Sequence, residues 1–213
     1  MTNETKLPEA IFFELPNGYC MRPLQVDDVP YLYLWVNDPE TRPYHNRGTT
    51  ESLIEEMDWV QNQHTRKATN LVWMIVGVDG CRIGTMGLHN ISWKDGTATT
   101  GAIFGSEKHR NQGIGTLAKM ALLNHAFNVL NLRMILSEAI SFNLRSINYS
   151  LKCGYVQIGS IPNWIYWEGQ YYDYIMLTIT KADFEIKWSQ HTQKYNIKTF
   201  SNMLARHGQL PRK

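Results

Sequence analysis

Apolar residues recur along this chain with two different periods. From Ile114 to Val129 they fall three and four apart, at Ile114, Leu117, Ala118, Ala121, Leu122, Ala126 and Val129, which is one face of a helix. Val29, Leu32 and Trp35 have the same spacing, with Asp27 or Asp28 placed to cap a helix and Asp38-Pro39 to end it. A helix is predicted after Thr49 or Thr50, carrying Glu51, Glu55, Glu56 and Asp58, acids that suit a helix's first turns. Asn143 to Lys152 is another, with Leu144, Ile147 and Leu151 on one face. Strand-like runs cover 11–15, 19–24, 71–78, 81–93, 97–105, 134–140, 155–166 and 170–180. In 97–105, Ala98, Thr100, Ala102 and Phe104 alternate with Thr99, Gly101, Ile103 and Gly105. Turn signals at Asn17-Gly18, Asp79-Gly80, Lys94-Asp95-Gly96 and Glu168-Gly169 join neighbouring runs. Residues 39–48 form a loop, and 1–9 are expected to be loosely held.

The 213 residues suffice for one domain with a sizeable core. A net charge of +2 argues for neither nucleic acid nor a membrane surface. No apolar run approaches the ~18–20 residues of a membrane span, and Met1-Thr2-Asn3-Glu4-Thr5 lacks a signal peptide's apolar core. Cys20, Cys81 and Cys153 form no C-x-x-C pair and read as reduced thiols, so a cytoplasmic enzyme is the expected class. His45, His89 and His109 have no metal-ligand spacing, and no metal site is expected.

The distinctive stretch is Lys108-His109-Arg110-Asn111-Gln112-Gly113-Ile114-Gly115-Thr116. A basic approach meets two glycines at the start of the long helix. There the first backbone N–H groups lack helical partners and the dipole end is positive. Glycine lets an anion approach closely, and Arg110 adds charge: the pattern is a pyrophosphate cradle. It is not G-x-x-x-x-G-K-[ST]. Gly113, Gly115 and Ala118 satisfy G-x-G-x-x-[GA], but that motif opens straight off a buried strand, and charged and polar residues precede these glycines.

Arg110 to Gly115 fits [RQ]-x-x-G-x-[GA], which resembles the acetyl-CoA loop of the GNAT superfamily of N-acyltransferases. Asn143-Leu144-Arg145-Ser146-Ile147 and Cys153-Gly154-Tyr155 are similar to that family's N-x-x-[SA]-I…G-[FY] segment. Met21-Arg22-Pro23-Leu24, Trp35-Val36-Asn37-Asp38-Pro39, Phe127 to Leu132 and Glu168 to Tyr171 resemble the branch of ribosomal-protein-alanine and spermidine N-acetyltransferases. The resemblance covers about Tyr19 to Asp183. It implies an α/β (α+β) fold, a mixed, mostly antiparallel twisted sheet of about seven strands flanked by about four helices. Residues 1–18 would be an N-terminal extension or strand, 19–183 the acetyltransferase domain, and 184–213 a basic extension, helical and then disordered.

The resemblance also assigns roles. Acetyl-CoA would be the co-substrate, held by Arg110, Asn111, Gln112, Gly113, Ile114, Gly115 and Thr116. Further contacts would come from Ile103, Phe104 and Gly105, where the family's strand splays from its neighbour, and from Asn143 and Ser146. Asn143 also reads as a helix N-cap. Glu138 is the expected base, or else orients the substrate. The family's acid, a Tyr seven residues after the Asn, falls here on Ser150, with Tyr149 one residue early, about 100° around the helix. Direct attack in a ternary complex needs no covalent nucleophile, so Cys153 is expected to be a core thiol. The acceptor would be a small amine (a polyamine, amino sugar or similar) or a protein N-terminus. The acids 51–58 could draw such an amine, though they also read as a solvated face. A homodimer is compatible with the family. A non-catalytic acetyl-CoA-binding module remains the reading from another class.

Overall fold

The computed structural model describes residues 12–45, 49–66, 68–105 and 112–197, without the side chain of residue 64. Arg110, Asn111, the first residues and the end of the basic extension lie outside them. Among the described residues are eight strands and five α-helices: β1 Phe13–Glu14, β2 Cys20–Pro23, α1 Val29–Asn37, α2 Leu53–Gln61, β3 Leu71–Val76, β4 Arg82–Ser92, β5 Thr97–Phe104, α3 Ile114–Asn128, β6 Met134–Ile140, α4 Leu144–Lys152, β7 Val156–Trp167, β8 Gln170–Thr180 and α5 Lys181–Tyr195. The strands form one sheet in the order β1-β2-β3-β4-β5-β6-β8-β7. All pairs are antiparallel except β5–β6. The expected mixed, mostly antiparallel sheet is present, with one strand and one helix more than the resemblance implied.

Local chemistry accounts for the joints. Asn17 and Gly18, at φ 64° and 79°, turn β1 into β2 in the left-handed conformation such hairpins need. Ser52 caps α2 rather than Thr49 or Thr50: its hydroxyl accepts from the Glu55 N–H (3.2 Å), and Glu55 accepts from the Ser52 N–H (2.7 Å). Asp28 stands before α1 but does not cap it. Its carboxylate is buried and takes both Arg22 terminal nitrogens, at 2.7 and 2.8 Å, and Arg82 Nε at 3.2 Å. Burial alone would raise the Asp28 pKa, but Arg22, the Gln25 N–H and Arg82 outweigh it and hold the group below its ordinary value.

Strand alternation divides the core. On β3, Trp73 and Ile75 pack with α3, whereas Met74 and Val76 pack with Val29, Leu32 and Trp35 of α1 and Val60 of α2. Thus α1 and α2 cover one face, and α3 and α5 the other. The α3 helix is buried nearly all round, not along one stripe, because α4 and α5 lie against the side turned from the sheet. The boundary read at residue 183 falls within α5, whose Phe184 is fully buried and packs on Phe127 and Trp188.

Candidate active site

The β5–β6 joint opens partway along. Thr97 to Thr100 pair with Met134 to Ser137, and there the parallel pairing ends. β5 runs on to Phe104 beside β4, while β6 runs on to Ile140 beside β8. Two parallel strands that part in mid-sheet expose backbone groups otherwise used in pairing. A cavity of 1260 Å³ occupies this opening and extends over both sheet faces. That exceeds the space of a usual single-ligand pocket, so it has room for two substrates.

One side is made by helix ends. Gly113, Ile114, Gly115 and Thr116 of the α3 N-terminus line it, as do Asn143, Arg145, Ser146, Tyr149 and Lys152 beside them. Gly113 has φ 76°, and among the described residues a Cβ there would meet nothing within 4 Å. A Cβ on Gly115 would stand 3.3 Å from Phe104 Cζ and 3.9 Å from Tyr149 Cδ2. Free N–H groups, two nearby cations and a glycine-lined approach fit a pyrophosphate, and the parted strands fit its pantetheine arm. Asn143 is both a lining residue and the α4 cap, its Oδ1 accepting the Ser146 N–H at 3.1 Å.

Not all the expected residues meet there. Ile103 and Phe104 line the cavity, but Gly105 does not. A Cβ on Gly105 would overlap the Trp35 ring, and its N–H bonds the Ile83 carbonyl (3.2 Å), so α1 and β4 occupy this glycine. Gln112 Oε1 accepts the Tyr19 hydroxyl at 2.9 Å, away from the lining. Ser150 is fully buried and also off the wall. Lys119 Nζ donates to Ser150 Oγ at 3.0 Å and to Ser137 Oγ at 3.3 Å. Positions 146, 149 and 152 share the cavity face of α4, one residue is about 100° off it, and so Tyr149, not Ser150, faces the opening.

Beneath Tyr149 lies a feature that sequence reasoning missed. The Lys119 ammonium sits 4.3 Å from the Tyr149 ring centroid and 4.9 Å from that of Tyr155. Burial lowers its pKa to about 8, against an opposing effect of Cys153. Burial pushes the Cys153 thiol up to about 11, with Lys119 acting the other way, which leaves this sulfur an inert core group. Burial likewise raises Tyr149 well above its ordinary value, so its hydroxyl keeps its proton.

The other side is aromatic and acidic. Glu138 of β6 is exposed on the wall, and Tyr174, pushed up to about 12 by burial and by the charge and hydrogen bond of Glu138, stands beside it. Glu40, Thr41, Pro43, Tyr44 and His45 come from the loop after α1, Trp59 from α2, and Trp167 and Glu168 from the β7–β8 turn. That loop is tied across the opening. Arg42 lies 5.9 Å from the Trp167 ring centroid, Tyr44 packs on Phe142 (5.8 Å), and Phe142 packs on Tyr172 (4.7 Å). Of these roof residues only Glu168 stood in a motif, the Glu168 to Tyr171 segment; the others carried no sequence signal. The acids in and just before α2 lie elsewhere: Glu51, Glu55, Glu56 and Asp58 surround a separate 280 Å³ pocket that, among the described residues, shares only Trp59 with the cavity. Among the described residues no group of acids, histidines and cysteines could hold a metal.

Comparison with known proteins bears on the fold and the family. The SPbeta prophage-derived uncharacterized N-acetyltransferase YokL of Bacillus subtilis (strain 168) is 24% identical over 178 residues, 83% of this chain and 98% of that protein. The crystal structure of spermidine N-acetyltransferase from Vibrio cholerae in complex with CoA and spermine superposes with a TM-score of 0.71 at 20% identity, over 78% of this chain and 98% of that one. A chimera of the Vibrio cholerae enzyme with hSSAT gives 0.70 at 19% identity, over 78% and 98%. Residues 19–156 match the acetyltransferase (GNAT) domain model. With that match spanning most of the chain and the parted strands and glycine helix start inside it, the protein belongs to the GNAT family of acetyl-CoA-dependent N-acetyltransferases.

Proposed function

We propose that this enzyme acetylates the primary amine of a small, cationic acceptor of polyamine type, by direct attack within a ternary complex. The observation that carries the reading is the acceptor half of the cavity, where Glu40, Glu138 and Glu168 accompany Trp59, Trp167 and Tyr44. Carboxylates draw an ammonium, and aromatic faces hold its alkyl stem and its charge. The roof tied over this half suits a compact amine better than a chain end emerging from a folded protein. The similarity to a spermidine N-acetyltransferase points the same way.

Acetyl-CoA supplies the acetyl thioester; its phosphates would lie at Gly113–Thr116, with Arg145 and Lys152 as counter-charges. Glu138 meets the acceptor ammonium and orients it. The ammonium loses a proton, its lone pair forms the C–N bond, and the C–S pair leaves on sulfur. The proton the nitrogen still carries in excess passes to that sulfur. Tyr149, which lines the cavity and is kept protonated by burial, supports the reading as the group that would hand a proton across and recover one from the nitrogen.

A carboxylate that holds the acceptor is tested by Glu138→Gln, which keeps shape and removes charge. The KM for the amine should rise about tenfold or more, the worth of one charge-assisted hydrogen bond, with the KM for acetyl-CoA unchanged. An unaltered amine KM would remove Glu138 from the acceptor site.

A further inference from the structure

The acceptor half contains a histidine to which the reading above gives no task. His89 lies on β4 and lines the cavity. Its neighbours Met86 and Leu88 pack in the core under α3, so alternation turns Thr85, Gly87 and His89 to the face of α1 and α2. That is the face from which Trp59 enters the cavity. The imidazole rests on bare backbone: Nε2 would be 3.0 Å from a Cβ on Gly101 and 3.2 Å from one on Gly87. Gly101 is the first β5 residue past the last β6 partner, Thr100. Nε2 therefore stands where the two strands part.

Hydrogen bonds fix which nitrogen carries the proton. The Thr69 hydroxyl donates to the Arg66 carbonyl at 3.4 Å, and Asn70 Nδ2 donates to Thr69 Oγ1 at 3.0 Å. This orients the Asn70 amide so that its oxygen faces His89 Nδ1, at 3.3 Å. A carbonyl oxygen only accepts, so Nδ1 bears the hydrogen and the neutral ring's lone pair is on Nε2. Burial lowers the His89 pKa, which keeps the ring neutral near pH 7 and its lone pair available.

We propose that His89 is a catalytic residue, its Nε2 removing the proton that the acceptor ammonium must lose before attack. The proposal rests on the amine-acceptor reading above. One proton passes from the ammonium to Nε2, giving a free amine and an imidazolium; the imidazolium returns it to solvent after the thiol departs. Glu138 from β6 holds the cation while His89 from β4 deprotonates it, and Asn70 is a positioning residue that sets the tautomer.

His89→Gln in the full chain keeps a polar side chain of similar size that cannot take a proton. With a turning-over amine, kcat should fall by about 10²–10⁴, while the KM for acetyl-CoA stays as in the wild type and certifies the fold. Retained kcat would overturn the proposal. A second readout needs no turnover: ¹⁵N NMR of the wild-type imidazole at neutral pH should show the neutral Nδ1–H form, lost in Asn70→Ala. An Nε2–H ring would overturn the proposal. Silence of the wild type with every amine would instead defeat the acceptor reading, and the tautomer would still decide for or against His89.

Discussion

His125 shows how a single side chain sets a property of the whole fold. It is 5% exposed on α3 and ringed by Phe12, Phe13 and Trp73 at 5.2, 5.4 and 6.0 Å. Burial lowers its pKa from 6.5 to about 4. The unfolded chain binds that proton near pH 6.5 and the folded one only near 4, so the contribution of His125 is complete above 6.5 and is lost as pH falls between the two values. The loss is on the order of 3 kcal/mol. His89 and His191 are shifted in the same sense. The urea midpoint should therefore drop on going from neutral pH toward 4.5, and His125→Phe should flatten that slope; a midpoint insensitive to acid would refute this account. Residues such as His125 and Lys119 were illegible in sequence because a polar residue in an apolar helical stripe looks the same whether water or an aromatic box receives it. Ser150 and Tyr149 could not be ordered for a related reason. Register counting put the family's acid position at Ser150 with Tyr149 one residue early, and only the actual rotation of α4 turns Tyr149 to the cavity and Ser150 to Lys119.

At the scale of elements, the cradle depends on α3 beginning where β5 and β6 have parted. The glycine spacing and the helical period that follows were readable, because each is local in the chain. Gly115→Glu places a carboxylate beside Phe104 and Tyr149, adding bulk and negative charge to the start of α3, where the proposed cradle requires space and positive potential. Acetyl-CoA affinity should fall at least a hundredfold by calorimetry, with the far-UV spectrum unchanged; wild-type affinity would remove the α3 start from the binding site. The strands themselves were found within about two residues of their ends. Their parting was expected from the family resemblance alone, since the pair that ends the ladder, Thr100 with Ser137, lies far apart in sequence and no pattern in either strand records the loss of a partner. Capping was misread for a different reason: Asp28 has the composition of a cap, but the buried Arg22 competes for its carboxylate and wins it.

For the whole molecule, the sheet separates two chemistries and the opening in it joins them. The α3 and α4 ends supply N–H groups, Arg145 and Lys152; the α1 loop, β6 and the β7–β8 turn supply carboxylates and aromatic rings. This segregation of cationic from acidic and aromatic walls was absent from a net charge of +2 and from the acidic run 51–58. It arises only when segments more than a hundred residues apart, Glu40 and Glu168 among them, meet over one cavity. Among the described residues no helix is long and apolar enough to cross a membrane. The most direct test is release of thiol from acetyl-CoA by the full chain, with spermidine or spermine in one arm and short peptides with free N-termini in the other. Release with the polyamines and none with the peptides is the predicted result. Release with the peptides alone would contradict the acceptor assignment and turn the tied roof from a lid over a small amine into the wall of a peptide groove.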